Sequence, residues 1–493
     1  MNLGSAGERG SEITGDVEKY LINGYLPTVG IECHVQLNTA TKLFSAVDND
    51  AREAEPNSKV SVIDYALPGM LPYLNREAVR LAARAACALD SEVARVSRFD
   101  RKHYFYPDLP KGYQISQMYQ PTILAGHVDL PDGTTVRINH AHLEEDAGKL
   151  VHHGDHSEVD LNRAGTPLIE IVSEPDMHSA AQAKAFAQEL WMLMTYAGVT
   201  YGDLYHGNMR FDVNMSVSTD DELGTRTEVK NLNSFRSVER AVEYEIARQI
   251  EVLEKGEKVV QETRGWDEAK GKTTAQRSKE NAQDYRYMPD PDIPPIVLDE
   301  AEIKEMQADM PMLPPEYRAK FAALEADDSV IGAVLANQEL AKKLYQVLAA
   351  STPDIARRIA NWFASAIPVD DENFIKFSIP KTENLVKLSE MTGENKLSST
   401  AAKEVFAEML ARDNDPEKIA ETKNLLQVSD SGEIEKIVDE VLASKEAEKA
   451  IADIKSGSDK AIGFLVGLVM KASRGQANPG LASKIIKEKI NEL

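Results

Sequence analysis

The 493-residue chain is 42% hydrophobic and 28% charged, which supports two to four domains with packed cores. With only two cysteines, Cys33 and Cys87, it can build neither a disulfide framework nor a CxxC zinc site, and a reducing cytoplasm is the expected location. Its net charge of −24 argues against a general nucleic-acid binder and against DNA as a partner, because phosphate backbones demand clustered Lys and Arg.

Residues 1–20, MNLGSAGERGSEITGDVEKY, are polar and acidic and lack the apolar core of a signal peptide. VGIECHVQL (29–37) then alternates as a strand does. Glu32, His34 and Gln36 share one face, and Ile31, Cys33 and Val35 share the other. That parity sends Cys33 to the apolar side, where a free thiol behaves as a small buried hydrophobe rather than a nucleophile. Glu32 and His34 can hold a divalent cation or form a surface ion pair.

HLEEDAGK (142–149) sets three consecutive acids, Glu144, Glu145 and Asp146, after a strand-like segment. It reads as a solvated turn or as half of a metal site. His140, His142, His152, His153 and His156 have no regular ligand spacing and are read as loop residues. In TPLIEIVSEPD (166–176), Glu170 interrupts an apolar run. A buried, unpaired carboxylate costs several kcal/mol, so either a cation compensates it or the strand is an edge with Glu170 facing water.

A helix begins at the Ser179/Gln182 capping box, carries Phe186, Leu190, Leu193 and Ala197 on one face, and ends at Gly198. RFDVNMSV (210–217) puts Arg210, Asp212, Asn214 and Ser216 on one face of a strand, and TRTEVKNLN puts Arg226, Glu228 and Lys230 on one face of the next. Such a hairpin can bind phosphate through its cations and Mg2+ through its acids, although a solvated sheet face alternates in the same way. A second helix carries Phe235, Val238, Val242, Ile246, Ile250 and Leu253 on one stripe.

GWDEAKGKT (265–273) is not a P-loop, since it has five residues between its glycines where that motif needs four, and no apolar strand precedes it. Nucleotide would therefore be held by acids, metal and basic residues on the sheet. PDPDIPP (289–295) closes this α+β or α/β region. Beyond it, PEYRAKFAAL, NQELAKKLYQVLAAS and PDIARRIANWFASAI repeat apolar residues at helical spacing, and ARDNDPEKIAE (411–421) marks a further boundary. The apolar run AIGFLVGLVM (461–470) is about half a membrane span, so no membrane insertion is expected. Residues 451–493 hold seven Lys or Arg against four acids, which suits either RNA contact or a solvated basic face.

In order and approximate spacing, GIECHVQL, RKHYFYPDLPKGYQISQ (101–117), HLEEDAGK, DLNRAGTPLIEIVSEPD (160–176), MRFDVNMSV, EVKNLNSF (228–235) and DYRYMPDPDIPP (284–295) resemble the B subunits of the aspartyl/glutamyl-tRNA amidotransferases. KAIGFLVGLVMKASRGQANPGLASKIIKE resembles the family's tail. The likeness runs from about residue 27 to the end.

The resemblance implies a multidomain α+β chain. A cradle domain at 25–297, with a mainly antiparallel sheet like that of glutamine synthetase and the guanidino kinases, is followed by all-helical domains at 298–410 and 411–493. Residues 1–24 have no counterpart and are expected to be a disordered extension. The resemblance further implies that ATP and Mg2+ are used to phosphorylate the side-chain carboxylate of Glu or Asp mischarged on tRNA(Gln) or tRNA(Asn). Ammonia would come through a tunnel from a glutaminase A subunit, steadied by a small C subunit, and the helical and tail domains would grip the tRNA.

Transferred residue by residue, the magnesium site becomes Glu32, His34, Glu144 and Glu170. Glu144 would also meet ammonia, with Lys102 as a catalytic neighbour and Tyr104 near the 3′ end of the tRNA. Arg210, Asp212, Asn214, Glu228 and Lys230 are candidates for nucleotide and second-metal contacts, on strand parity more than on resemblance. Relatives carry Cys pairs for zinc where this chain reads LFSAVDNDAREAEPNSKVSVIDYALPG (43–69), so no zinc is expected. Two competing readings are a free-standing carboxylate–amine ligase, which needs no basic tail, and a non-catalytic RNA-binding scaffold, which needs no acid cluster.

Overall fold

A computed structural model describes residues 17–220, 222–278, 284–366, 378–427, 431–455, 460–473 and 477–492. The chain divides into two units, Met1–Pro314 and Pro315–Leu493, the first mixed α/β around a large sheet and the second helical.

Eight strands form the main sheet: β1 (Leu26–Gln36), β2 (Gly126–Asp129), β3 (Thr135–Glu145), β4 (Pro167–Ser173), β5 (Met209–Ser218), β6 (Thr227–Leu232), β7 (Glu262–Asp267) and β8 (Lys272–Ser278). Their order is β8-β7-β6-β5-β1-β4-β3-β2. Every pairing is antiparallel except β6 with β7. One face is apolar: Ile31, Cys33, Val35, Leu143, Ile169, Ile171, Phe211 and Val213 are all buried. Helices α1 (Arg76–Ala88), α2 (Ala180–Tyr196) and α3 (Phe235–Glu254) contribute to the same core. Each large side chain buried there contributes about 1.5–3 kcal/mol, and a slip of one residue would turn it to the opposite face. The apolar face thereby locks the register of the polar one.

The two helices begin where the sequence predicts. Ser179 accepts the amide N–H of Gln182 at α2, and Ser234 accepts that of Ser237 at α3. Gly198, with φ +69°, turns the chain after α2.

Three boundaries differ from expectation. Residues 1–16 of the expected extension lie outside the described residues, but 17–24 are built into the first unit. Glu18–Tyr20 forms a 3-10 turn and the Tyr20 hydroxyl accepts a hydrogen bond from Gln182 Nε2 at 2.7 Å. The first unit runs past residue 297 because α4 (Glu300–Gln307) packs on α1, with Gln307 Nε2 donating to the Ala83 carbonyl at 2.8 Å and Met306 in the core. The helix Pro416–Thr422 packs on the helices Thr382–Gly393 and Ser399–Ala411, and Lys387 clasps Asp415 at 2.9 Å. A separate apolar cluster of the tail begins at Ile434 and includes Val438, Leu465, Val469 and Ile486. Leu465 and Val469 bury one side of the apolar run 461–470 while Phe464 on the other is exposed. Among the described residues no helix is long and apolar enough to cross a membrane.

Candidate active site

Cross-strand register assembles the site on the polar face of the sheet. Glu170, on β4, is directly opposite His34 on β1 and His142 on β3. It therefore stands on an interior strand, not an edge. Glu144, two residues beyond His142 on the same face of β3, completes the group. His34 Nε2 lies 3.4 Å from Glu144 Oε1 and 3.6 Å from Glu170 Oε2. His142 Nε2 lies 3.3 Å from Glu170 Oε2 and 3.7 Å from Glu144 Oε2.

Burial alone would lower both imidazoles, but the two carboxylates outweigh it and raise His34 and His142 to about 9. Burial alone would raise Glu144, which is 2% exposed; hydrogen bonds from His142 and His34 instead hold it well below the usual carboxylate range. Glu170 is lowered too, the two imidazoles outweighing both burial and the charge of Glu144.

A second cluster lies one strand pair away. Glu32, Asp212 and Glu228 bring carboxylate oxygens within 4.8 Å of one another, as His34, Glu144 and Glu170 do for their ligand atoms. Glu32 is paired with Asp212 in the β1–β5 register, and Asn214 with Glu228 in β5–β6. Lys230 Nζ donates to Asp212 Oδ2 at 2.8 Å and sits 2.9 Å from Glu228 Oε1. A bulge between Phe211 and Val213, together with Asn231 at φ +60°, lets the Asn231 amide donate to Asp212 Oδ1 at 2.8 Å. Asn214 Nδ2 donates to Glu32 Oε1 at 2.8 Å. Burial, reinforced by the charge of Glu170, keeps Glu32 above the usual carboxylate range.

The structure thus divides the four residues expected as one cation site. His34, Glu144 and Glu170 stay together, whereas Glu32 joins Asp212 and Glu228. His34 and Glu32 are two residues apart on one strand face, about 7 Å.

Lys102 and Tyr104 belong to the wall beside the first cluster. Lys102, in the strand Asp100–His103, lies 5.0 Å over the Tyr285 ring, and among the described residues its Nζ donates to no hydrogen bond. Burial would depress this ammonium; the charge of Glu144 prevails and raises it. The Tyr104 ring stands edge-on to Tyr106 and Tyr285, and its hydroxyl donates to Gln114 Oε1 at 3.4 Å. Burial, then Glu144, push its phenol up. Arg210 is anchored by Asp146 at 2.9 Å, and the Asp146 charge raises the guanidinium further.

Several expectations need correction. His140 and His142 are strand residues, with their rings stacked at 5.4 Å, and His142 is a site residue that sequence reasoning missed. The sign was available: His142 and Glu144 are two apart and share a strand face. Glu145 is not part of a polar turn. It ends β3, is 2% exposed, accepts the amide N–H of Ile115 at 2.9 Å and is paired with Lys111. Asp146 holds Arg210 and Arg163. Gly148 allows a close approach of two segments, since a Cβ there would meet the Asp160 carbonyl oxygen at 2.8 Å. His152 lies in the strand Lys149–His152. His153, His156 and Glu158 gather at an exposed turn. Cys33 is fully buried, and burial followed by the charge of Asp212 pushes its thiol well up, as a buried hydrophobe requires.

Comparison with known proteins bears on the same residues. The family model described as the GatB/GatE catalytic domain matches residues 27–304, which span the whole main sheet, and the GatB domain model matches 343–490. The chain is 46% identical over 477 residues to the aspartyl/glutamyl-tRNA(Asn/Gln) amidotransferase B subunit of Alcanivorax borkumensis, covering 94% of this chain and 98% of that one. It is 45% identical over 477 residues to the B subunit of Alkalilimnicola ehrlichii, with the same coverage. It is 41% identical over 484 residues to that of Carboxydothermus hydrogenoformans, covering 95% and 99%. With both acid clusters inside the matched catalytic domain and likeness of this degree along nearly its full length, the chain belongs to the family of aspartyl/glutamyl-tRNA(Asn/Gln) amidotransferase B subunits.

Proposed function

We propose that this chain is the kinase and amidation subunit of a tRNA-dependent amidotransferase acting in the cytoplasm. It uses ATP and Mg2+ to phosphorylate the side-chain carboxylate of Glu or Asp mischarged on tRNA(Gln) or tRNA(Asn). Ammonia from a glutaminase A subunit, held with a small C subunit, displaces the phosphate and leaves Gln-tRNA or Asn-tRNA. The open polar face corresponds to the cradle of glutamine synthetase and the guanidino kinases.

The observation that supports this reading most directly is the pair of acid clusters sharing β1, one built on His34 and the other on Glu32. Both donor sets suit a divalent cation. Glu144 and Glu170 face each other with imidazoles and no Lys or Arg within ion-pair distance among the described residues, and Glu32, Asp212 and Glu228 converge around one ammonium. Cations bound there would offset negative charge on a phosphoryl group in transfer.

The chain's own residues do the rest. Arg210, Lys230 and the Asn214 amide reach the phosphates, whereas Asp212 and Glu228 would hold a second divalent cation that offsets the phosphate charge. A substrate carboxylate enters beside His34. Lys102 and Glu144 stand where ammonia arrives, with Glu144 positioned to accept its proton, and Tyr104 lines the path of the tRNA 3′ end.

Full-length chain assembled with its A and C partners is expected to hydrolyse ATP only when mischarged Glu-tRNA or Asp-tRNA is present. Equal turnover with free glutamate would overturn the tRNA-dependent reading.

A further inference from the structure

His142 has the same geometric claim on the Glu144/Glu170 pair as His34. In the register, Glu170 is opposite both, so its carboxylate lies between two imidazoles in one row across β1, β4 and β3. The Nε2 of His34 is 3.4 and 3.6 Å from the two carboxylates, and the Nε2 of His142 is 3.7 and 3.3 Å from them. Both side chains are largely buried, 22% and 10% exposed, so neither is a freely solvated surface histidine. Nothing in these distances assigns one ring to a cation and the other to mere support.

We propose that His142 is a further ligand of the cation site at His34, Glu144 and Glu170, and that this two-imidazole, two-carboxylate set takes an imidazole-preferring first-row ion such as Fe2+ or Ni2+ in preference to Mg2+. The proposal rests on the reading of this cluster as a cation site. Mg2+ selects oxygen donors and keeps much of its water, binding through one or two carboxylates. Imidazole nitrogen favours the later first-row ions such as Fe2+ and Ni2+, and a second one moves the balance further from Mg2+. The neighbouring Glu32–Asp212–Glu228 cluster supplies carboxylate oxygen only and keeps the preference for Mg2+. The two sites then differ in the ion they select although they share a strand.

The test is pulsed electron paramagnetic resonance of Mn2+ bound to the full-length chain. His153→Ala and His156→Ala are introduced first, to remove the exposed imidazole pair. Two nitrogen couplings are expected, falling to one in His142→Gln and to one in His34→Gln. A single coupling in the parent would overturn the proposal, because His142 would then only hold the carboxylates by hydrogen bonding while the cation reading survives. This count does not depend on whether the His142 variant folds. By titration, His142→Gln should lose about tenfold or more in Ni2+ affinity and less than about threefold in Mg2+ affinity; equal losses for the two ions would also overturn it. Absence of any bound Mn2+ in the parent would remove both this proposal and the cation site beneath it.

Discussion

Lys230 places its ammonium 2.8 Å from Asp212 Oδ2, so the cluster of Glu32, Asp212 and Glu228 carries its own counter-ion. Burial would lower this lysine, but Asp212 and Glu228 outweigh it and raise it. Replacing it by methionine leaves three carboxylates within 4.8 Å with no cation among them. Lys230→Met is expected to tighten divalent-cation binding at the cluster and to lower kcat/KM for ATP by about a hundredfold, a loss typical of removing one electrostatic partner of a reacting phosphate. Without added divalent ion a stability loss of about 3 kcal/mol is expected, because Asp212 and Glu228 are left mostly buried with no counter-charge. Steady-state ATP turnover and a denaturant titration separate the two effects.

The two imidazoles beside Glu144 make stability depend on pH. Both are raised from 6.5 to about 9, so their protons favour folding. The contribution is complete below pH 6.5 and is lost as pH rises through 9, at roughly 3 kcal/mol per ring. Glu144, whose pKa is depressed, loses its contribution only in acid and does not offset the fall. Chelated protein should therefore melt at progressively lower temperature between pH 6.5 and 9, and the His34→Gln, His142→Gln double variant should show a flatter profile. Identical profiles in calorimetry would contradict this account.

Glu144→Gln removes one of the two acids shared by both imidazoles and retains nearly the same volume. Amidation should fall by about a thousandfold or more, the scale expected when a charged group touching the reacting centre is removed. Glutaminase activity in the partner subunit should persist. A second readout is local: with one carboxylate neutralised, the His34 and His142 imidazoles should titrate closer to 6.5 by NMR. Amidation at the normal rate would remove Glu144 from the site.

Which of these residues could be read in advance follows from the range of the interactions. The alternation in VGIECHVQL and RFDVNMSV is local, so the faces of Glu32, His34, Arg210, Asp212 and Asn214 were legible. Pairing is not local. Glu32 stands beside Asp212 because of a β1–β5 register set by apolar side chains on the opposite face, and no spacing in the chain shows that it leaves His34 for another cluster. The shared face of His142 and Glu144 was likewise local, but the histidine-rich stretch masked it, and the place of His142 opposite Glu170 depends on the β3–β4 register. The burial of Glu145 depends on Lys111, 34 positions earlier. The helical half was legible as helices because 3.6-residue periodicity is local, but the assignment of Pro416–Thr422 to the preceding helices rests on Lys387 and Asp415, far apart in the chain.

Lys42 is fully buried, and its Nζ donates to Asp64 Oδ2 at 3.1 Å. This pair fastens the segment 43–69 against Gly165, where a Cβ would lie 2.5 Å from Asp64 Oδ1 and where φ is +81°. Asp64→Ala strands a buried ammonium, and a loss of about 3–5 kcal/mol is expected. Gly165→Ala should also destabilise the fold, through both the positive φ and the collision. A lowered urea midpoint at unchanged slope checks both variants.

Two of the tail's described lysines are already paired. Lys489 is engaged by Asp439 at 2.6 Å and by Glu435 at 3.3 Å, and Lys484 lies 4.0 Å from Glu488. Lys471 and Lys487 make no ion pair among the described residues, and neither do Lys436, Lys445 and Lys449, so all five are able to meet a phosphate backbone. Removing 431–493 takes away one apolar cluster and leaves the helix Pro416–Thr422 with the helices it packs on. Such a truncation should weaken tRNA binding strongly while ATP binding to the sheet domain is retained. The Lys471→Glu, Lys487→Glu pair should weaken it with the fold intact, reducing the slope of log affinity against log salt by about 1 for each phosphate no longer neutralised. Equal tRNA affinity in the truncated and full chains would place the tRNA grip outside the tail.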